Sequence, residues 1–560
     1  MCGIAGIVTY SRSHEGGAMV KGMLSKMPYR GPDQSGVETR DNVTLGMARL
    51  SIIDREHHKI PYADAFGKYM IVYNGEIYNH DTLKHSLRSR CHFQTASDAE
   101  TVLYNFMEKG IDSLHDYNGM YAFALYDSVN KELYIARDKT GEKPLYYAYT
   151  KDYFVFASEM KCLLQVVPAE LNNDAVSYRA YEFTVGAETL FKNIYSLGPG
   201  EYIRVKDGRV SVQSYWKVWD KLVDVKTDEK GILDDLAELL EDAILLRTKN
   251  CAHKYCAFIS GGVDSSLVAS IAKPDYIFTA HYDYDDFDEL DYAKLLARHI
   301  QRDLVVITPT KEDFMRTRND IIYHLDTPCT WTSFTLWMLF SRTKEEGLKV
   351  VMTGDGADEI FGGYHRYHLL HHDEQIHKLE AMQQYSYLIN RYYGSPVDRY
   401  LRLVNRHENQ YDERINGYLR ESLKFYYEKA KGDVIHFMGL NDFYSTMQVL
   451  LQMADRLSMA FSIENRSPFL DYRLVQYAFS MPSKYKIRNG ITKWALKEVS
   501  KKFIPKEIAS RIDKRGFSAP VNKWFGWDKN GKYDRRGYKD IVFDDWIKRF
   551  GVSKNEMSIM

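Results

Sequence analysis

The chain of 560 residues has a formal net charge of −1, with 45% hydrophobic and 27% charged residues. This length predicts two or three domains, and the balanced charge argues against nucleic acid or an anionic membrane as a partner, because no net field would attract either. No apolar run approaches the ~18 residues of a membrane span, and the six sparse cysteines predict a protein of the reducing cytoplasm rather than a disulfide scaffold.

The chain begins with MCGIAGIVTY, in which a cysteine follows the initiator methionine directly. A lone cysteine in an apolar stretch is usually a small buried hydrophobe. Because cysteine is small, however, removal of Met1 is expected, and the thiol and a free α-amine would then share one residue. The amine has a pKa of ~7.7–8.0 and the thiol ~8.5, so the amine can act as the local base. Both interpretations of Cys2 stay open at this point.

The first predicted unit, residues 2–210, is rich in short β-strands. Aromatic and β-branched runs such as MYAFALYD and KELYIARD alternate with turn residues. One helix fits ASDAETVLYNFMEKG, where Ser97 and Glu100 have the spacing of a capping box. These elements predict a layered sheet domain with few helices.

The pattern changes across a polar linker, residues 211–230. From there apolar runs such as KYCAFIS, YIFTAHY, DLVVITP and LKVVMTG alternate with segments of helical periodicity. Such alternation predicts a parallel sheet with crossover helices over residues 231–525. Residues 366–440 contain no motif that we can interpret, and residues 526–560 are predicted to form a polar tail.

The stretch FISGGVDSS (258–266) predicts a phosphate-binding loop. Its two glycines let the backbone approach an anion closely, and the helix that follows supplies free N–H groups and a positive dipole end. Ser260, Ser265 and Ser266 add hydroxyl groups. Asp264 would repel phosphate unless it holds Mg²⁺, and an ordinary Ser/Gly turn would not need it. The Walker pattern G-x-x-x-x-G-K-[ST] is absent.

A second acidic loop, VVMTGDGADEIFGGY (350–364), follows another predicted strand. Asp355, Asp358 and Glu359 cluster between glycines just beyond the C-terminal end of that strand, where ligands bind in an open α/β sheet. Three carboxylates beside a predicted nucleotide loop indicate a second metal ligand and a partner for a substrate or a proton.

Together these motifs resemble the glutamine-hydrolysing asparagine synthetase family over nearly the whole chain. The N-terminal half resembles a class II glutamine amidotransferase domain through MCGIAG, RGPDQSG, ARLSIID, YNGEIYN and SDAE. The C-terminal half resembles an ATP-pyrophosphatase synthetase domain through SGGVDSS, GDGADEIFGGY, DRLSMAFSIENRSPFLD and ITKWALKE. The resemblance implies an α+β N-terminal-nucleophile αββα sandwich followed by an α/β parallel-sheet ATP-pyrophosphatase domain.

In the first half, the resemblance implies that the Cys2 thiol attacks the side-chain amide of glutamine and releases ammonia. Arg49 would bind the α-carboxylate of glutamine and Asp98 its α-ammonium. Asn74 and Gly75 match the oxyanion hole, whose donors face the tetrahedral oxygen. The residues implied to bind glutamine are Arg49, Leu50, Ser51, Ile52, Ile53, Asn74, Gly75, Glu76 and Asp98.

In the second half, the resemblance implies transfer of AMP from ATP to a carboxylate, release of pyrophosphate, and displacement of AMP by ammonia.

Asp264 and Asp358 would hold Mg²⁺. Lys493 would contact the phosphates, and Arg466 is a weaker candidate for the same pocket. The residues implied to bind ATP are Ile259, Ser260, Gly261, Gly262, Asp264, Ser265, Ser266, Ala280, Thr353 and Gly354.

The acceptor carboxylate depends on Asp355, which stands where many asparagine-forming relatives carry a glutamate proposed to accept a proton from ammonia. L-Aspartate is the predicted acceptor, and the alternative is another carboxylate such as a sugar acid or a peptide side chain. A non-catalytic binding protein that kept the fold is a third interpretation. The intact Cys2, Arg49, Asp98, SGGVDSS and Lys493 argue against it.

Free ammonia is protonated and diluted in water, so an internal channel between the two sites is expected, which we place near residues 200–230. The expected small-molecule partners are glutamine, aspartate and ATP. The sequence leaves the oligomeric state open, with a homodimer as the candidate assembly.

Overall fold

The computed structural model describes two halves, each built on its own sheets, that pack against each other. It describes the whole chain apart from residues 11–14, 53, 55–58, 173–181, 250, 252–253, 285–288, 377–394, 405–412, 513–515, 527, 530–531, 534 and 554–560. None of the helices in this described part is long and apolar enough to cross a membrane.

Two six-stranded antiparallel sheets form the N-terminal half. Their strands are β1 (Cys2–Thr9), β2 (Gln34–Arg40), β3 (Val43–Arg49), β4 (Tyr62–Ala63), β5 (Tyr69–Ile77), β6 (Gly119–Asp127), β7 (Glu132–Arg137), β8 (Tyr146–Tyr149), β9 (Tyr153–Ala157), β10 (Tyr195–Ser196), β11 (Glu201–Lys206) and β12 (Arg209–Ser214). The first sheet has the order β10-β8-β9-β1-β3-β2, and the second β12-β11-β7-β6-β5-β4.

The two sheets face each other across an apolar core, and helices cover their outer faces. Inward-pointing residues such as Ile4, Leu45 and Phe123 build the core between the sheets, because successive side chains of a strand point to opposite faces. The covering helices are Gly16–Leu24 and Met160–Leu163 on the first sheet, and Asp98–Lys109 on the second with His80–Leu87 beside it. This arrangement confirms the predicted αββα sandwich.

A five-stranded parallel sheet forms the centre of the C-terminal half, as predicted. Its strands are β13 (Cys256–Phe258), β14 (Tyr276–Ala280), β15 (Asp303–Ile307), β16 (Val350–Met352) and β17 (Glu464–Arg466). They lie in the order β15-β14-β13-β16-β17. Strands β13 and β16 are neighbours, so the two loops that follow them leave the same edge of the sheet.

Helices surround this sheet and fill most of the segment that carried no motif. They are Glu229–Thr248, Val263–Ala272, Leu290–Ile300, Lys311–Leu325, Trp331–Glu345, Ala357–Phe361, His365–Ile376, Pro396–Val404, Glu413–Lys429, Val434–Tyr444, Thr446–Ala460, Tyr472–Ser480, Trp494–Ser500, Lys506–Ala509, Val521–Phe525 and Arg535–Phe550. Two short hairpins complete the half, β18 (Ile487–Arg488) with β19 (Ile491–Thr492), and β20 (Asp528–Lys529) with β21 (Lys532–Tyr533). Short 3-10 helices lie at Pro28–Arg30, Gly110–His115, Val218–Asp220, Pro468–Leu470 and Ser483–Tyr485.

The segment predicted to be a polar tail contains the helix Arg535–Phe550. This helix packs against Lys311–Leu325 through Tyr538, Val542 and Trp546, all of which are buried. Three apolar positions at a spacing of four residues lie on one helical face, so they suffice to dock a helix whose other positions are polar.

Buried ion pairs join the two halves directly behind Cys2. The Arg30 guanidinium lies 2.7 Å from Asp455 and 3.1 Å from Glu159, and its Nε donates to the Cys2 carbonyl at 3.0 Å. Removing one partner of such a pair leaves an uncompensated buried charge and typically costs ~3–5 kcal/mol. The strand that carries Cys2 is therefore fixed against the C-terminal half.

Candidate active sites

A cavity opens between the two sheets of the N-terminal half at the start of β1. Its lining combines residues of both halves: Met1, Cys2, Met47, Arg49, Leu50, Ile52, Tyr62, Tyr73, Gly75, Glu76, Ser97, Asp98, Ala99 and Glu464. Seven of the predicted glutamine-site residues lie in this lining, namely Cys2, Arg49, Leu50, Ile52, Gly75, Glu76 and Asp98. Ile53 lies outside the described residues.

Strand pairing places the predicted nucleophile beside its predicted partners. Cys2 on β1 is paired in register with Arg49 on β3. The Cys2 backbone N donates to Asn74 Oδ1 at 2.9 Å. Asn74 is fully buried, and its Nδ2 has no hydrogen-bond partner among the described residues. A buried amide donor without a partner costs free energy, so it is suited to receive an oxygen of a ligand.

Gly75 is required at its position by close packing. A Cβ there would lie 2.3 Å from the Met120 carbonyl oxygen on the neighbouring strand. Ser51 is absent from the cavity lining, and its backbone N donates to Asp33 Oδ2 at 2.7 Å.

The environment of Cys2 makes the thiol a weak acid. Burial raises the pKa of the Cys2 thiol above its ordinary value, and the positive charges of the N-terminus and Arg49 only partly oppose this. A thiol that resists ionisation needs a base close by. Met1 lines the same cavity and is 3% exposed, so its removal would both free an amine on Cys2 and enlarge the cavity.

Asp98 is held as an acceptor at the other end of the cavity. The Tyr73 hydroxyl and the Ile77 backbone N both donate to Asp98 Oδ2, at 2.6 and 2.9 Å. Burial raises the pKa of this carboxyl, and the Tyr73 hydrogen bond opposes the rise. Glu76 lies nearby, and burial together with the charge of Asp98 raises its pKa well above the usual range.

The predicted phosphate loop follows β13 and opens the helix Val263–Ala272. Gly261 has φ +66°, and a Cβ there would lie 2.9 Å from an Arg511 nitrogen. The Ser265 hydroxyl accepts from the Ser260 backbone N at 3.2 Å. The Ser266 hydroxyl is buried and has no partner among the described residues. This cradle presents hydroxyls and helix N–H groups at one point, as an anion site requires.

Two carboxylates from the two loops converge on one ammonium. Lys493 Nζ lies 2.7 Å from Asp264 and 2.5 Å from Asp358. Lys493 has φ 52°, a left-handed backbone conformation that is uncommon for lysine. A Cβ at Gly363 would lie 1.9 Å from an Asp358 oxygen and 2.0 Å from Lys493 Cε, so a side chain there would displace this ion pair.

The same carboxylates fit the predicted Mg²⁺ ligands. Mg²⁺ prefers oxygen donors and usually keeps substrate oxygens and water in its shell. Asp264 and Asp358 supply such donors and reach a common point, the Lys493 nitrogen. Within the described ranges, no group of three or more His, Cys, Asp or Glu side chains could hold a metal by itself, so a metal here would need substrate oxygens.

Asp355 is fixed by hydroxyl and amide donors. The Thr353 hydroxyl donates to Asp355 Oδ2 at 2.8 Å, and Asn465 Nδ2 lies 3.4 Å from the same oxygen. Gly354 packs against the phosphate loop, since a Cβ there would lie 3.0 Å from the Ser265 backbone N. Arg466 is not brought to Lys493, because its guanidinium pairs with Glu464 at 2.6 Å.

A smaller cavity adjoins the phosphate loop. Its lining contains the predicted Ser260 and Ala280, together with Thr279, Tyr282, Glu289, Gly516, Phe517 and Ser518. Ile259 is fully buried in the strand end beneath it, where its N–H donates to the Phe278 carbonyl. Arg511 joins the walls, with 2.7 Å to Glu289 and 3.0 Å to the Gly261 carbonyl. Sequence reasoning missed Glu289, Arg511 and residues 516–518, although the basic Gly/Ser run SRIDKRGFSAP offered a signal.

An apolar cluster lies between the glutamine-site cavity and β16. It consists of Met1, Leu50, Ile52, Tyr78, Met120, Val350 and Met459. Leu50 lines the cavity, and Val350 begins the strand that leads to Thr353. The segment near residues 200–230, where we expected the channel, also contacts the C-terminal half, since the Val218 N–H donates to the Tyr444 hydroxyl.

Comparison with known proteins finds a separate family model for each half of the chain. A model of the asparagine synthase family matches residues 235–540, which is more than half of the chain, and a glutamine amidotransferase domain model matches residues 1–216. The chain is 28% identical over 566 residues to glutamine-hydrolyzing asparagine synthetase 1 of Bacillus subtilis (strain 168), covering 95% of this chain and 89% of the relative. It is 31% identical over 389 residues to glutamine-hydrolyzing asparagine synthetase B of Escherichia coli (strain K12), covering 64% of each chain.

Proposed function

This chain belongs to the asparagine synthase family, and we propose that it converts L-aspartate to L-asparagine with ammonia taken from glutamine. ATP is the co-substrate, and AMP, pyrophosphate and glutamate are the other products. The observation that carries the proposal is the pairing of a buried cysteine cavity with a phosphate loop and two converging carboxylates in one chain. The enzyme is thus a glutamine-hydrolysing carbon–nitrogen ligase.

In the glutaminase reaction, the Cys2 amine, freed by loss of the initiator methionine, takes the proton of the thiol. The thiolate attacks the side-chain amide of glutamine, and the oxyanion is stabilised by Asn74 Nδ2 and the Gly75 N–H. As this intermediate collapses, the Cys2 ammonium returns the proton to the departing nitrogen, which leaves as ammonia, and the γ-glutamyl thioester that remains is hydrolysed by water to glutamate. Arg49 and Asp98 hold the α-carboxylate and the α-ammonium of the substrate.

In the synthetase reaction, an oxygen of the aspartate side chain attacks the α-phosphorus of ATP and pyrophosphate leaves. The Ser260–Ser266 loop binds pyrophosphate, and Lys493 offsets its charge. Asp264 and Asp358 would hold Mg²⁺, which would offset the negative charge of the phosphates. Ammonia then attacks the acyl carbon of β-aspartyl-AMP, AMP leaves, and Asp355 accepts the proton lost by the nitrogen.

The acceptor is tested by supplying the purified enzyme with glutamine, ATP and one candidate carboxylate at a time. We expect L-aspartate to stimulate pyrophosphate release and asparagine to appear in the mass spectrum as the amidated product. If aspartate gives no release above background while a sugar acid or a peptide carboxylate does, the alternative acceptor is correct. The glutaminase and adenylation assignments would then still stand.

We also propose that ammonia passes inside the protein, along the apolar cluster that includes Leu50, Met120 and Val350. With ¹⁵N-amide glutamine and excess unlabelled ammonium, asparagine should carry mostly ¹⁵N, because ammonia made in the cavity does not mix with the solvent. Labelling that follows the bulk ammonium pool would contradict this route. Cys2→Ala provides the matched control, since its product should be unlabelled.

The cellular setting is proposed from weaker observations. All six cysteines are free thiols, which favours the reducing cytoplasm. Glutamine, aspartate and ATP are the proposed small-molecule partners. A homodimer stays a prediction.

A further inference from the structure

Strand β17 contributes residues to both sites, the glutamine-site cavity and the surroundings of Asp355. Successive side chains of a strand point to opposite faces, and here Glu464 lines the glutamine-site cavity whereas Asn465 lies against Asp355. Glu464 is therefore a residue of the C-terminal half that forms part of a wall in the N-terminal half's cavity. Nothing in the glutaminase reaction as described above uses it.

The Glu464 carboxylate is held firmly in this position. It is 1% exposed, and its Oε1 accepts from Arg466 Nε at 2.6 Å. Arg466 is fully buried and donates to the Arg247 and Lys249 carbonyls at 2.6 and 2.9 Å. Burial disfavours the charged carboxylate, but the positive charges of Arg466, the N-terminus and Lys143 together outweigh burial and hold the pKa of Glu464 below its usual range. The cavity wall therefore carries a fixed negative charge.

This charge faces the start of the chain. Glu464 Oε2 lies 3.4 Å from the Met1 nitrogen, and Met1, Cys2 and Glu464 line the same cavity. Once Met1 is removed, the new terminal amine belongs to Cys2 and opens into that cavity. Its nitrogen already donates to Asn74 Oδ1 at 2.9 Å.

We propose that Glu464 is a positioning residue of the glutaminase site, which orients the terminal amine of Cys2. The inference rests on the proposed function. A neutral amine has two N–H bonds and one lone pair. When Asn74 accepts one N–H and Glu464 the other, the lone pair is left to take the thiol proton. The synthetase half thereby completes the glutaminase site.

The charges around the amine determine the direction of the expected pH effect. The described groups that interact electrostatically with the amine or with Glu464 include Arg49, Tyr73, Glu76, Tyr78, Asp98, Lys143, Cys251 and Arg466. Removing the negative charge of Glu464 favours the neutral form of the Cys2 amine and therefore lowers the pKa of that amine. The amine must be neutral to act as a base, so glutaminase activity should then survive to lower pH.

The test is glutamate release from glutamine, measured over a range of pH without aspartate or ATP. In Glu464→Gln, the acidic limb of the profile should move to lower pH by about one unit, and the maximal rate should fall. Glu464→Asp keeps the charge at a shorter reach, so its rate should fall while the limb stays in place. Ammonia-dependent asparagine synthesis should persist in both. Glu201→Gln is the matched control, because Glu201 pairs with Lys217 outside the cavity.

An acidic limb that does not move in Glu464→Gln would overturn the proposal. If that variant fails to fold, seen as loss of ammonia-dependent synthesis, Glu464→Asp decides the question. The proposal is supported if Glu464→Asp releases glutamate more slowly, keeps the acidic limb of the parent enzyme and retains ammonia-dependent synthesis. Equal loss of glutamate release and ammonia-dependent synthesis overturns it. A parent enzyme that releases no glutamate would instead refute the proposed function itself.

Discussion

Replacing Cys2 with alanine should lower glutamine-dependent asparagine synthesis by at least ~10⁴-fold and leave ammonia-dependent synthesis intact. The thiol forms the covalent bond to glutamine, and no other cysteine lines the cavity among its described residues. The synthetase site requires only NH₃, whichever way it arrives. The measurement is asparagine formation with glutamine and, separately, with an ammonium salt.

Cys91→Ala is the matched control for this experiment, because Cys91 is half-buried and lies outside the cavity. It should use both nitrogen sources at the parent's rates. Normal use of glutamine by Cys2→Ala would contradict the assignment of the nucleophile. Retention of Met1 in the active enzyme, seen by mass spectrometry of the N-terminus, would contradict it as well.

Replacing Asp264 with asparagine should have the opposite pattern. We expect ATP-dependent pyrophosphate release to fall by at least ~100-fold, the scale of losing one electrostatic contact to a developing charge. Glutamate release from glutamine should persist, because Asp264 lies in the other half beside Lys493. Pyrophosphate and glutamate are measured in parallel on the same preparation.

Asp234→Asn is a suitable control, since it removes a carboxylate from an exposed pair with Lys502 and surface pairs contribute little. It should leave both activities unchanged. If Asp264→Asn kept normal pyrophosphate release, the phosphate loop would not be the ATP site. Loss of both activities in that variant would indicate unfolding, and Asp358→Asn would then serve as the second test of the same carboxylate pair.

Local features were predictable from the sequence because short-range patterns determine them. SGGVDSS lies between an apolar strand and a helix, and both form where the pattern predicts them, as β13 and Val263–Ala272. The predicted capping box is the exception. Ser97 accepts from the Ala99 N–H at 3.3 Å, but the Glu100 carboxylate accepts from the Gln94 and Thr95 N–H groups instead. The Glu100 carboxylate therefore binds the preceding loop and does not form the reciprocal capping-box bond to the Ser97 N–H.

The parts that were missed depend on tertiary contacts between distant segments. Glu464 reaches the cysteine cavity only because β17 pairs with β16 at the edge of a sheet and the other half covers that edge. The walls of the smaller cavity likewise come together through the ion pair between Arg511 and Glu289. Neither the pairing of β16 with β17 nor that of Arg511 with Glu289 follows a short-range sequence pattern, so neither could be predicted from one sequence. Asp264 and Asp358, by contrast, lie in loops that have recognisable motifs.

The central claim is most directly tested with aspartate labelled with ¹⁸O in its side-chain carboxylate, supplied with glutamine, ATP and Mg²⁺. If that carboxylate attacks the α-phosphorus and ammonia then displaces AMP, one labelled oxygen must leave with AMP. Mass spectrometry should therefore find singly labelled AMP, unlabelled pyrophosphate, and asparagine with one ¹⁸O in its amide. ADP with labelled inorganic phosphate, or no asparagine at all, would contradict the account.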